Sequence, residues 1–370
     1  MKVAKGTYRE RVKVRASGTE RRPIVFTAAR GAKVVITGGE NGFSISGGSW
    51  IRISGFTITH TIEYGINVSD ASYVTLSDNR VRYSGRPAIG HAKYGIRLEN
   101  VKHSLVAGNL VDHNTNSGIA LVDGSTQNDV TGNESFANAK RYERAAAGIH
   151  LYASPGNVVT RNISHANEDS GIDLDRSADN VVSNNVSYDN GDHGVDVTGG
   201  SARAHVLANS IYSNVTAGIN VEAASRNVTI ANNISVQNGV GSPRTSSNIR
   251  VDISSVPGSS LDYDIVSVAG GQAINLIWNS VAYTSLAALQ VKGQELHGID
   301  ADPSWEDPAR GDFHLTARSP AIDSASSLVR SQPRADINRT QRTDDPATPN
   351  TGAGPRLYDD RGSFEYRAHT

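Results

Sequence analysis

The chain has 370 residues, a formal net charge of −1 and no cysteine. The near-zero charge gives no positive field to attract nucleic acid or an anionic membrane, and the lack of cysteine excludes disulfides and thiolate metal sites. No run of about 18 apolar residues is present. We therefore expect no nucleic-acid partner and no transmembrane span.

The first predicted elements are short strands close to the first residue. Val3 and the segment 7–12 already alternate apolar and polar side chains, and no apolar signal sequence precedes them. The same pattern continues through 23–26 and 42–45. Because the chain starts within this strand pattern, we expect an exported protein, secreted or held at the cell surface, whose signal segment is absent from this chain. The alternative is a cytoplasmic protein that starts at Met1.

A repeat of roughly two dozen residues occupies the middle of the chain. A glycine followed by an apolar residue recurs, and a second apolar residue follows two positions later, which is typical of a strand with one buried face. One such repeat cannot bury its apolar face alone, so we predict that the repeats stack into a solenoid. The glycines of this motif are Gly65, Gly95, Gly118, Gly148, Gly171, Gly194 and Gly218.

Asparagine recurs at two further positions of each repeat. We expect these residues to lie at turns, where Asn tolerates the left-handed backbone conformation, and to hydrogen-bond from coil to coil. The predicted fold is all-β, a single-stranded right-handed parallel β-helix of about ten coils. The two series are Asn79, Asn109, Asn133, Asn162, Asn185, Asn209 and Asn233, and Asn114, Asn138, Asn167, Asn190, Asn214 and Asn238.

The repeat fades near residue 295. The segment after it contains proline and many charges and has no period. We predict a short helix near 285–290, followed by an extended C-terminal tail that packs on the solenoid. The predicted domains are therefore a β-helix over 1–295 and a tail over 296–370.

One outward-facing residue lies between the two buried positions of each Gly-Ile strand. Because neighbouring coils lie about 4.8 Å apart, Asp173 and Asp196 are predicted to be adjacent, with His150 one coil away. Asp175 lies on the same face as Asp173. Clustered carboxylates raise at least one pKa or attract a cation, so we predict these four residues to be catalytic. His193, at the neighbouring corner, is a further catalytic candidate.

Three coils carry about seven extra residues just before the Gly-Ile strand, near 86–93, 140–146 and 240–247. Insertions on one edge of a solenoid commonly form the walls of its binding face. Arg and Lys can pair there with a carboxylate of a ligand, and Tyr can stack on one of its rings. The predicted substrate-binding residues are Lys93, Arg97, Lys140, Arg141, Tyr142, Arg144 and Tyr152.

The repeat, the opening segment 6–10 and the tail segment 319–323 resemble the pectate-lyase-like superfamily of parallel β-helix proteins. The resemblance covers nearly the whole chain. It implies an exported protein that acts on a polysaccharide, and solenoids of this kind are often monomers. The lyases of the superfamily commonly hold calcium through clustered aspartates and use Lys, Arg or His as the base. On this resemblance Asp173, Asp175 and Asp196 hold calcium, and His150, Lys140 or Arg144 takes the proton.

Four functions follow from these observations. The favoured one is a lyase that cleaves a uronate-containing, acidic polysaccharide by β-elimination. An inverting hydrolase would use the three aspartates as acid and base, and an Asp cluster followed by the His193-Gly194 pair resembles the polygalacturonase group. A uronate C5-epimerase is the third function, because 190–197 resembles a stretch of the mannuronan C5-epimerases that implicates His193 and Asp175. The fourth is a glycan-binding solenoid without chemistry.

Overall fold

Short parallel strands, three to each coil, make up nearly all of the regular structure. The computed structural model describes residues 1–88, 91–140, 146–242, 244–268 and 276–368. The chain divides into two units. Unit 1 comprises 1–158 and 162–178, and unit 2 comprises 159–161 and 179–370.

Unit 1 contains three parallel sheets, whose strand orders are β1-β4-β7-β10-β13-β16, β2-β5-β8-β11-β14-β17-β20 and β3-β6-β9-β12-β15-β18-β21. Its strands are β1 (Lys2–Val3), β2 (Gly6–Tyr8), β3 (Val12–Val14), β4 (Ile24–Ala28), β5 (Val34–Thr37), β6 (Phe43–Ser46), β7 (Ser49–Ser54), β8 (Thr57–Thr59), β9 (Ile66–Ser69), β10 (Ser72–Ser77), β11 (Arg80–Arg82), β12 (Ile96–Glu99), β13 (Leu105–Ala107), β14 (Leu110–Asp112), β15 (Ile119–Val122), β16 (Asp129–Thr131), β17 (Glu134–Phe136), β18 (Ile149–Tyr152), β20 (Ile163–His165) and β21 (Ile172–Asp175). Strand β19 (Val158–Thr160) contains residues of both units.

Unit 2 repeats the arrangement in the sheets β22-β25-β28-β31, β23-β26-β29-β32 and β24-β27-β30-β33-β34. Its last strand is antiparallel, and β35 and β36 form a separate antiparallel pair. The elements are β22 (Val181–Ser183), β23 (Val186–Tyr188), β24 (Val195–Thr198), β25 (His205–Leu207), β26 (Ser210–Tyr212), β27 (Ala217–Val221), β28 (Thr229–Ala231), β29 (Ile234–Val236), β30 (Ser247–Val251), β31 (Ser260–Asp262), β32 (Ile265–Ser267), β33 (Leu276–Trp278), β34 (Val281–Tyr283), α1 (Leu286–Gln290), β35 (Trp305–Asp307), a 3₁₀ turn (Pro308–Arg310) and β36 (Asp312–Leu315).

The core lies inside the coils and follows the period-two pattern of the strands. In β18 the side chains of Ile149 and Leu151 are fully buried, while His150 and Tyr152 between and after them reach the surface. Burial of one face against the next sheet is the main stabilising term of such a stack. The predicted all-β fold, a right-handed parallel β-helix, is confirmed.

The asparagines form hydrogen-bonded ladders along the coils. The backbone N–H and the side-chain amide of Asn109 both donate to Oδ1 of Asn133, at 2.9 Å, and Asn133 donates in the same way to Asn162. The predicted coil-to-coil bonding is confirmed. The expectation that these asparagines adopt the left-handed conformation is wrong, because the preceding residue does so: Gly108 has φ 64° and Gly132 has φ 64°. That residue turns the chain, which leaves the asparagine free to point inward.

Glycine is required before the Gly-Ile strands because the coils approach closely there. A Cβ atom on Gly118 would lie 2.1 Å from Oγ of Ser135, and one on Gly148 would lie 2.0 Å from Oγ of Ser164. These serines donate to the carbonyl of the next coil's glycine, for example Ser164 to Gly171 at 2.7 Å. The glycines recognised as a repeat therefore mark a packed corner rather than a flexible turn.

The C-terminal part of unit 2 packs against the sheet β23-β26-β29-β32. The amide of Asn232 donates to the carbonyl of Ser326 at 3.0 Å, and Oγ of Ser363 lies 2.8 Å from Oγ of Ser210. The predicted helix is confirmed as α1, with Ser285 as its N-cap. The division of the chain at residue 295 stays a prediction.

Candidate functional site

The register of the third sheet in unit 1 builds one outward column of side chains. Asn67 pairs with Arg97, Arg97 with Ala120, Ala120 with His150, and His150 with Asp173. This is the order that the alternation predicts. The column therefore brings an imidazole and a carboxylate onto neighbouring strands.

His150 and Asp173 form a half-buried pair. Nε2 of His150 lies 3.3 Å from Oδ2 of Asp173, and the two side chains are 14 % and 15 % exposed. Burial lowers the pKa of His150 below its ordinary value of 6.5, and the negative charges of Asp175 and Asp169 offset this only in part. The imidazole is therefore neutral at neutral pH and can accept a proton.

Tyr152 and Arg176 stand beside this pair. The ring of Tyr152 meets the imidazole of His150 edge to face, with centroids 6.2 Å apart. The guanidinium of Arg176 donates to Oη of Tyr152 at 2.8 Å and lies 3.8 Å from Asp175. Arg176 is 65 % exposed, so its charge is accessible to an anionic ligand.

The sequence did not single out Arg176 or Asp169. Arg176 follows β21 in the left-handed conformation, with φ 53°, and strand alternation says nothing about a side chain at such a turn. Asp169 precedes the Gly-Ile strand, where its Oδ1 accepts from the N–H and the hydroxyl of Ser170. Comparison of that corner position across coils would have drawn attention to Asp169, because Asp192 holds it in a later coil.

The predicted wall residues of unit 1 are held by local contacts. Nζ of Lys93 lies 3.1 Å from Glu63, and Arg97 lies 2.7 Å from Glu99. Nζ of Lys140 donates to the carbonyl of Asn167 at 3.0 Å. Arg97 is two strands from His150 along the column, roughly 10 Å by the strand spacing. The remaining predictions here, Arg141, Tyr142 and Arg144, lie outside the described residues.

Unit 2 carries the predicted Asp196 and a polar network around it. Oδ1 of Asp196 accepts from the amide of Asn220 at 2.8 Å. Arg250 donates to Oδ1 of Asn220 at 2.6 Å and to Glu222 at 2.5 Å. The predicted adjacency of Asp196 and Asp173 joins residues of different units and stays a prediction.

His193 is buried at a corner of unit 2. Its Nδ1 lies 2.7 Å from Oγ1 of Thr216, and Thr216 also hydrogen-bonds to Asp192. Arg244, from the third insertion, donates to the other oxygen of Asp192 at 3.2 Å. These contacts orient the imidazole, and its predicted catalytic role stays a prediction.

The calcium prediction draws on aspartates of both units, so the structure does not test it. Within the ranges that the structure describes, no group of three or more His, Asp and Glu side chains is placed to hold a metal ion. In the same ranges, no helix is long and apolar enough to cross a membrane.

Comparisons with known proteins agree with this architecture. A family model described as the Pel9A-like right-handed β-helix region matches residues 1–249. The chain is similar to the structure of pectate lyase Pel9A, with a TM-score of 0.59, 16 % identity, and 99 % of this chain and 87 % of that chain covered. It is also similar to the PL6 family alginate lyase AlyGC (TM-score 0.51, 13 % identity, 86 % and 52 % covered) and to the Dettilon tailspike protein (TM-score 0.51, 15 % identity, 73 % and 60 % covered).

A search of curated protein sequences finds no significant match. These structural similarities show the fold alone, because proteins that share a fold can have different activities. The family match covers more than half of the 370 residues. The chain belongs to the Pel9A-like right-handed β-helix family.

Proposed function

We propose that the protein is a polysaccharide lyase, secreted or held at the cell surface, that cleaves an acidic, uronate-containing polysaccharide by β-elimination. The observation that carries the proposal is the His150–Asp173 pair, in which burial keeps the imidazole neutral on an outward face. Pel9A, a pectate lyase, and AlyGC, an alginate lyase, share the fold and support the substrate class.

The first step of β-elimination removes the proton at C5 of the uronate, next to its carboxylate. In the proposed reaction the imidazole of His150 takes this proton, and the carboxylate of Asp173, 3.3 Å away, stabilises the imidazolium that forms. The C4–O bond then breaks, and a C4–C5 double bond remains on the sugar.

Tyr152 and Arg176 supply the other two requirements of the reaction. Oη of Tyr152 accepts a hydrogen bond from Arg176, so its own O–H is left to point at the departing oxygen, to which it gives its proton. The exposed guanidinium of Arg176 pairs with the uronate carboxylate and stabilises the negative charge that develops there. His150, Tyr152 and Arg176 thus act as base, acid and charge stabiliser.

An inverting hydrolase is the second candidate, favoured by the placement of Asp173 and Asp175 on one face of β21. Two residues along a strand span roughly 7 Å, which lies within the carboxylate separation of inverting enzymes. A C5-epimerase would use the same proton abstraction by His150, but would return a proton to C5 without breaking the chain.

The test is the ultraviolet absorbance of the unsaturated product while the protein acts on pectate, alginate and glycosaminoglycan. Each reaction is run with calcium and then with a chelator, which also tests the calcium prediction. Rising absorbance is the expected result. New reducing ends without absorbance would indicate the hydrolase, and altered sugar composition at constant chain length would indicate the epimerase.

Substitutions test whether His150 and Asp173 catalyse the reaction. We expect His150→Ala and Asp173→Asn to lower kcat/KM by at least about 100-fold, because each removes part of the proton-transfer pair. Circular dichroism should show a retained fold, since both side chains face outward. Glu134→Gln, on the second sheet, is the control and should keep full activity. Full activity in both site variants would place the reaction elsewhere.

A further inference from the structure

A cavity at another corner of unit 1 has the composition of a ligand site. It has a volume of about 380 Å³ and is lined by His60, Ile62, Tyr83, Arg86, Pro87 and His113, among others. These residues follow β8, β11 and β14 of the second sheet, whereas His150 and Asp173 lie on the third sheet. The cavity is therefore distinct from the outward column described above.

Three aromatic rings line this cavity on successive coils. The centroids of His60 and Tyr83 are 5.0 Å apart, and those of Tyr83 and His113 are 5.3 Å apart. All three residues have left-handed backbones, with φ between 52° and 56°, which large side chains rarely adopt. In the next coils the equivalent positions hold Ala137 and Ala166. The left-handed turn is therefore a property of the coil, and the turn itself does not need a ring.

Positive charge surrounds the rings. Arg80 and Arg82 both pair with the buried carboxylate of Asp112, at 3.2 and 2.9 Å, and Arg86 lines the cavity itself. No Asp or Glu is among the described lining residues. Three arginines against one carboxylate make the corner cationic, and this favours an anionic ligand.

The polar atoms at the corner are held ready for hydrogen bonding. Oη of Tyr83 accepts a hydrogen bond from Arg82 at 2.9 Å, so the O–H of Tyr83 is available to donate to a ligand. Nδ1 of His113 lies 2.8 Å from Asp112, which orients the imidazole. Rings with oriented donors suit a sugar, and guanidinium groups suit its carboxylate.

We propose that this corner is a second carbohydrate-binding site, which takes a uronate-containing segment of an acidic polysaccharide outside the catalytic face. The choice of ligand rests on the proposed function. Such a site would hold a long substrate on the enzyme between cleavage events. It therefore affects the affinity for polymers and leaves the chemical step unchanged.

The test is isothermal titration calorimetry of the His150→Ala protein, which is expected to cleave its ligand at least about 100-fold more slowly, with short galacturonate and mannuronate oligosaccharides. Whichever of the two oligosaccharides binds is expected to show two binding events, one at the outward column and one at the corner. Tyr83→Ala or Arg86→Gln should weaken one event by about tenfold or more. Tyr73→Ala is the matched control, because Tyr73 is also an exposed left-handed tyrosine, with φ 55°, and its effect should be below about twofold. A neutral glucan of the same length should not bind the corner.

The two proposals fail in different ways. If both corner substitutions leave all binding unchanged while the wild type forms unsaturated product, the corner site is wrong and the lyase stands. If no acidic polymer yields product but Tyr83-dependent binding remains, the lyase is wrong and the corner site stands. Equal binding of the neutral glucan would overturn the assignment of an acidic ligand.

Discussion

The protonation of His150 determines the pH at which the proposed base works. Burial lowers its pKa below 6.5, so the active neutral form persists into mildly acidic solution. We expect the midpoint of the acidic limb of the pH profile of kcat/KM to lie below pH 6.5. Steady-state rates across the acidic range would check this, and a limb clearly above pH 6.5 would contradict it.

The charge of Asp175 affects the pH at which this acidic limb lies. Its negative charge raises the pKa of His150 and thus opposes the effect of burial. Asp175→Asn removes the charge, so we expect the acidic limb to shift to lower pH. Glu134→Gln serves as the control, because Glu134 is not among the groups that shift the pKa of His150. An upward shift in Asp175→Asn would contradict the assignment of the limb to His150.

Alternation predicted the outward direction of His150 and Asp173, because a strand in a stacked coil has only two faces. It did not predict the half-buried state of the pair, which depends on neighbouring side chains such as Tyr152. The role of Arg176 was missed because a left-handed turn ends the period-two pattern. Position along a strand is thus readable from sequence, while local burial is not.

At the scale of the strands and turns, the asparagine ladders stabilise the coils. Asn133 accepts two hydrogen bonds from Asn109 and donates its amide to Val106 and Asn162, all within the buried stack. We expect Asn133→Ala to lower the free energy of unfolding by about 2–4 kcal/mol, because several buried groups lose their partners. Asn67→Ala removes one 3.3 Å bond at the surface and should have an effect below about 0.5 kcal/mol. Equal effects in urea denaturation would contradict the ladder's role.

The inward face of β21 tests the alternation directly. Leu174 is fully buried, so Leu174→Asp places a charge inside the stack, and we expect it to prevent folding or to cost about 3 kcal/mol or more. Asp175→Leu on the same strand points outward and should leave the protein folded. Circular dichroism and thermal denaturation distinguish the two variants. A Leu174→Asp protein as stable as the wild type would overturn the assignment of faces.

The repeat was predictable at this scale because a solenoid imposes the same requirement on each coil. Gly118 and Gly148 meet a serine of the same corner, so glycine recurs at a fixed position. The insertions before the Gly-Ile strands were found by their length, but length alone does not predict contacts. Arg244, for example, reaches Asp192 across 52 residues of chain.

Unit 2 as a whole contains buried charged groups that the sequence repeat does not predict. Asp264 ends the asparagine ladder, where its Oδ1 accepts from Asn233 at 2.7 and 2.9 Å. Arg342 and Glu365 form a fully buried pair 3.1 Å apart. The C-terminal segment supplies such partners from far along the chain, and its sequence has no period, so these contacts depend on packing that the sequence does not display.

These carboxyl groups make the stability of unit 2 depend on pH. Burial raises the pKa of Asp264 to about 6, of Asp323 to about 6 and of Glu365 to about 7. The folded state therefore binds protons more tightly than the unfolded chain, and the stabilisation present below about pH 4 is lost as the pH rises to about 7. His205, whose pKa is lowered by burial, acts in the opposite direction, but it is a single group.

We expect the free energy of unfolding of unit 2 to fall between pH 4 and 7, by up to about 3 kcal/mol for each of these carboxyls. Urea denaturation in a Trp50→Phe background would measure it, because the two remaining tryptophans, Trp278 and Trp305, both lie in unit 2. Asp264→Asn continues the ladder with a neutral side chain, so it should flatten the pH dependence and stabilise the unit at neutral pH. Stability that rises with pH over this range, or an Asp264→Asn protein with an unchanged slope, would show that these carboxyls titrate normally in the folded unit.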